Sequence, residues 1–307
     1  FKTKQRWFLA SVMLLVFIGA TLVGMKLTLI ADDKRRPPAE MVMGGSIGAE
    51  IRQTESGSYL ASQVAAMVGD FNAAARFAEQ MMLLAEEAPD HVKQRNLRLL
   101  AAAGAHEAAE KLAAQLADSK DSLTILLRAG AQLRAEEFAA AEQTLKNLGS
   151  NGIYQLIRPL LMAWVQVGMH RETPEKALPI IETLQSHSLP SRFLTYQQAI
   201  MYDWLGRNDK AEKAYTSILK NTEAPFRMLL AAHNFYLRAE MPDEAKAVAE
   251  SYQERYPKSS LQFPDAGGKD IVPMIGSAAQ GAAEIYFTVA SLFFGERVHQ
   301  KPFFICN

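Results

Sequence analysis

Ser46 lies in Gly44-Gly45-Ser46-Ile47-Gly48, which matches by letters the G-x-S-x-G turn that presents a hydrolase serine. That turn needs a strand before the serine and a helix after it. Pro37-Pro38 and a run of glycines surround it instead, so the segment reads as a loop. The six histidines are His91, His106, His170, His187, His233 and His299; none stands four residues from another, and H-E-x-x-H is absent. A helical metal site needs two such ligands on one face. Cys306 is the only cysteine, which rules out an intrachain disulfide and leaves a nucleophile with no evident base. Neither a P-loop nor G-x-G-x-x-G occurs, so no nucleotide cofactor is expected. Glu86-Glu87 and Glu136-Glu137 fall at helix ends, where acidic side chains are solvated. The expectation is no catalytic residue, no cofactor and no metal, hence a binding protein and not an enzyme.

Composition agrees with that class. Hydrophobic residues make up 49% of 307, enough for a large core. Lys plus Arg and Asp plus Glu are both 33, and the formal net charge is zero. A neutral chain has no electrostatic footprint for nucleic acid.

The elements that must position any binding residues are helical. Ala74, Ala109, Ala140, Ala177, Ala211 and Ala245 recur at gaps of 35, 31, 37, 34 and 34 residues. Each stands five residues past a break in a helical pattern. Breaks fall near Gly69, Gly104, Ala135, Glu172, Gly206 and Glu240, and Pro174 and Pro242 suit the first turn of a following helix. A period near 34 with a small residue at a fixed place predicts stacked helix pairs that bury their apolar faces only against neighbours. The fold class expected is all-α, an α-solenoid of about six helix pairs. The alanines would mark close helix crossings.

Four regions follow. Residues 1–31 contain Trp7 to Met25, 19 uncharged positions preceded by Lys2, Lys4 and Arg6. Such a run is long enough to span a bilayer core of roughly 30 Å. It reads as a transmembrane anchor, or as a signal segment, with the bulk of the chain outside the cytoplasm. Ala20 and Gly24 form a small-xxx-small pair there. Residues 32–56 read as a flexible linker, 57–257 as the solenoid, and 258–307 as a loop, an apolar helix and a tail. The apolar helix, beginning near Gly276, has a broad face that includes Ile285, Phe287 and Val289. It would pack back on the sixth pair, continue into a further repeat, or meet a partner.

Tyr202, Gly206, Ala211, Tyr215 and Pro225, and again Tyr236, Ala245 and Pro257, resemble tetratricopeptide repeats (TPR). Gly57-Ser58-Tyr59-Leu60 and Gly281-Ala282-Ala283-Glu284 resemble segments of membrane-anchored or exported TPR proteins of alphaproteobacteria. The resemblance implies a concave groove lined by the first helix of each pair. Its register implies Tyr59, Gln63, Gln94, Arg98, Gln166, Tyr196, Asp203, Trp204, Arg227, Asn234 and Arg238 as groove residues. It implies a protein or peptide partner, recognised by a scaffold anchored in the inner membrane with the solenoid in the periplasm, or exported there. The alternative reading is an assembly component of a cell-envelope complex, with the solenoid and terminal helix as oligomer contacts.

Overall fold

Left-handed backbone positions set the phase of the helix pairs. Gly69, Gly104, Glu136, Gly206 and Glu240 all have φ between +59° and +84°. Each ends a helix, and the amide of the next residue closes back on a carbonyl five residues earlier, as from Asp70 to Ala65 and from Arg207 to Tyr202. Glycine suits this conformation; glutamate at 136 and 240 adopts it against the clash of its own Cβ.

The computed structural model describes residues 54–85, 87–184, 191–220, 224–264 and 271–298, with side chains described through 291. Among these the chain is all-α, with thirteen helices and no strand. They form six successive pairs and a last helix. The pairs are α1 Glu55–Met67 with α2 Phe71–Leu84, α3 Asp90–Ala102 with α4 His106–Ala114, and α5 Ser122–Arg134 with α6 Phe138–Lys146. Then come α7 Tyr154–Met169 with α8 Pro174–Glu182, α9 Ser191–Trp204 with α10 Asn208–Leu219, and α11 Phe226–Arg238 with α12 Pro242–Arg255. The last helix is α13, Ala278–Val298. The apolar run at 7–25, Ser46, His187, His299 and Cys306 lie outside the described residues. Among the described residues no helix is long and apolar enough to cross a membrane, and no group of three His, Cys, Asp or Glu converges.

Each of the first eleven helices packs on the next in chain order, and the first helices of neighbouring pairs also meet, α3 with α5, α7 with α9, and α9 with α11. Pro174 and Pro242 open α8 and α12 as the sequence predicts. Ala74, Ala109, Ala177 and Ala211 are fully buried and Ala245 is nearly so. In the third pair the buried alanine is Ala141, and Ala140 is only half-buried. The sequence pattern puts the break at Ala135, whereas the left-handed residue is Glu136, one position later. Counted from the left-handed residue, Ala74, Ala109, Ala141, Ala211 and Ala245 stand at +5, with their amides bonded to the carbonyl of the +1 residue. The fourth turn, from His170 to Thr173, has no left-handed residue.

The largest cluster of buried apolar side chains runs from Ala75 to Val289, so α13 shares its core with the pairs. Ala65, Ala73, Ala74, Ala78 and Leu99 form a separate small cluster at the first pair. At the far end Phe263 stacks on Phe226, Tyr252 and His233, with centroids 4.9–5.6 Å apart.

Candidate functional site

The face built by the first helices holds α13. That helix packs on α5, α7 and α9 and not on the sixth pair alone. It is buried almost all round: from Ala278 to Ala290 only Phe287 is exposed and only Gln280 is half-buried. Gln280, Glu284, Thr288 and Ser291 recur at helical spacing along it, and of these Glu284 and Thr288 are buried. Ala279, Ala282 and Tyr286 share one narrow interstice with Ala129, Gly130 and Leu133 of α5, Leu145 of α6 and Leu161 of α7.

Two contacts give the fit its chemistry. Gly281 lies against the ring of Trp164; a Cβ there would stand 2.4 Å from ring carbons, so only glycine fits. Trp164 is fully buried, and its indole N–H donates to Gln197 Oε1 at 2.9 Å. One helical turn beyond Gly281, Glu284 is fully buried. Tyr196 donates its hydroxyl to Glu284 Oε2 at 3.0 Å, and Arg227 Nε donates to the same oxygen at 2.8 Å. A second Arg227 nitrogen, Nη2, pairs with Oε1, making the fork bidentate. The guanidinium also lies 4.7 Å from the Phe287 ring centroid. Burial works against the charged Arg227, and the hydrogen bond and charge of Glu284 outweigh it, holding the group above its ordinary range. Burial, reinforced by the Glu284 charge, pushes the Tyr196 phenol well up, so it is a donor at neutral pH.

A second set of the same composition lies within the pairs. Asp203 Oδ2 accepts from Arg238 Nη2 at 2.6 Å and from the Tyr215 hydroxyl at 3.3 Å. Here the carboxylate belongs to α9 itself. In the first set tyrosine and arginine come from α9 and α11, and the carboxylate comes from α13.

The other sequence-predicted residues are placed as follows. Trp204 stacks near Trp164 at 6.0 Å, with the Arg171 guanidinium 4.1 Å over its ring. Asn234 is half-buried beside His233, its Oδ1 3.5 Å from that ring nitrogen. Gln166 is half-buried on α7. At the other end, on α1 and α3, Gln63 donates to the Tyr59 hydroxyl at 2.9 Å, and Arg95 lies 4.8 Å over the Tyr59 ring. Gln94 donates to Ser119 Oγ at 3.0 Å, and Arg98 pairs with Asp121 at 2.6 Å. Thus Tyr196, Asp203, Trp204, Arg227 and Arg238 gather around α9 and α11. Tyr59, Gln63, Gln94 and Arg98 stand apart from them.

Sequence reasoning did not place Trp164, Gln197, Gly281 and Glu284 in the site. One signal was available: a glutamate inside an otherwise apolar stretch is rarely buried without a partner. No protein-family model, curated protein or solved structure matches the chain.

Proposed function

We propose that the chain is a non-enzymatic protein-binding scaffold. In this reading it is a TPR-like α-solenoid, tethered to the inner membrane by its N-terminal apolar segment with the helical array in the periplasm. Its concave groove recognises a helical segment of a partner protein. The observation that carries the reading is the helix already lying across the first-helix face, held by a glycine-sized contact at Trp164 and a bidentate pair at Arg227. A surface that accepts one helix by side-chain fit has the chemistry to accept another. Preformed pairs hold these side chains in place before binding, which limits the ordering cost. Outside the main contacts of α13, the helices α1 and α3 present Tyr59, Gln63, Gln94 and Arg98, a polar and aromatic set suited to a protein interface.

The test is site-specific photo-crosslinking from the full chain in its membrane, with the reactive group at Gln63 or Gln94. The controls place it at the exposed Lys213 and Lys246 of the second helices. The expected outcome is one partner protein captured from both groove positions and not from the controls. Capture from Lys213 and Lys246 alone would move the site to the opposite face and sink the reading.

A further inference from the structure

The two Tyr–carboxylate–Arg sets differ in one respect that defines a ligand. Tyr215, Asp203 and Arg238 all come from the pairs, with Asp203 Oδ1 and Arg238 Nε left without a partner. Tyr196 and Arg227 are one carboxylate short until Glu284 arrives from α13. With a helix docked but an apolar residue in place of that carboxylate, a buried phenol and a mostly buried guanidinium would face each other with no acceptor, which is costly for both. Trp164 likewise offers its ring to a residue with no side chain. Ala279 and Ala282 lie buried beside Ala129 and Gly130. These requirements lie on one helix in a fixed order: a small residue, a glycine two residues on, an alanine, and a glutamate one turn after the glycine.

We propose that α13 is the groove's resident ligand, and that the partner is a helix with this same small–x–Gly–Ala–x–Glu pattern, which binds by displacing α13. The proposal rests on the scaffold reading and names the chemistry of its partner. α13 is joined to α12 by 22 intervening residues, 256–277. A tether of that length holds its ligand at an effective concentration in the millimolar range, so a second copy's α13 competes poorly at micromolar protein. An outside helix therefore gains access only when α13 is released or when its own fit is better.

The probe is a labelled peptide of residues 276–291 with a C-terminal Lys-Lys for solubility. It is titrated by fluorescence anisotropy into the full chain in mild detergent, wild type and Gly281→Leu. Leucine at 281 collides with Trp164, so the variant's own helix leaves the groove while the groove itself is unaltered. The peptide should bind the variant at least about tenfold more tightly than wild type. A peptide carrying Glu284→Gln should lose at least about tenfold on the variant, as loss of a charge-assisted pair with a buried arginine requires. Equal binding to wild type and variant would overturn the proposal, and so would equal binding of the two peptides. A variant that melts cooperatively yet binds neither peptide would show that the vacated face receives no helix. A variant with no cooperative melt would show that α13 is an inseparable part of the core, which overturns it too. Either failure leaves crosslinking from Gln63 and Gln94, made with α13 docked, as the separate measure of the scaffold reading.

Discussion

At the scale of single residues, Arg227 and Glu284 carry the most consequence. Glu284 has no exposure and Arg227 little, so each depends on the other for compensation of its buried charge. Removing one partner should cost more than removing both. Arg227→Ala is expected to destabilise the chain by about 3–5 kcal/mol, because it leaves a carboxylate buried with only the Tyr196 hydroxyl. Arg227→Met combined with Glu284→Leu replaces the pair with apolar groups of similar volume and should recover much of that loss. Urea unfolding of the two variants checks this; a double variant less stable than the single would show that the pair is not the determinant. The pair also marks where the sequence stops being informative. Tyr196, Arg227, Asp203 and Arg238 were legible, because a repeat register places them on the first helices. Glu284 was not, because it meets Tyr196 across 88 residues and Arg227 across 57, and no 34-residue period encodes that contact.

At the scale of elements, the turn geometry decides which side chains each pair buries. Most helix boundaries were legible because glycine and proline punctuate them. The third pair's turn lies one residue later than the pattern puts it, because its left-handed position is a glutamate with no proline after it, whereas Glu240 is marked by Pro242. That shift of one moved the buried alanine from 140 to 141. The two glutamates imply a local conflict between residue type and backbone. Glu240 has φ of +61° and an exposed side chain. Glu240→Gly relieves the Cβ clash and should stabilise the chain by about 0.5–1 kcal/mol, once the extra freedom of glycine in the unfolded chain is subtracted. Gly206→Ala, at φ of +68°, should shift stability the opposite way by a similar amount. Thermal melts of the pair of variants measure both signs; a destabilised Glu240→Gly would mean that the glutamate side chain has a role of its own.

At the scale of the whole molecule, α13 divides a chain of neighbour contacts into a fastened part and an unfastened part. It ties α5, α7 and α9 into one body, while the first pair keeps a small cluster of its own. Amides of α1 and α2 should therefore open with free energies at least about 2 kcal/mol below those of α7 and α9. Native-state hydrogen exchange measures this, and uniform protection across the four helices would contradict it. The placement of α13 also sets an order in time. Everything it rests on is translated before it: Arg238, at the end of α11, precedes Val298 by 60 residues. At roughly 5–20 residues per second, the ribosome takes about 3–12 s to cover that distance. The pairs close by local contacts within far less than a second. For those seconds the newborn chain has its first-helix face built and no helix upon it, so under the scaffold proposal a partner present during synthesis would meet no competitor.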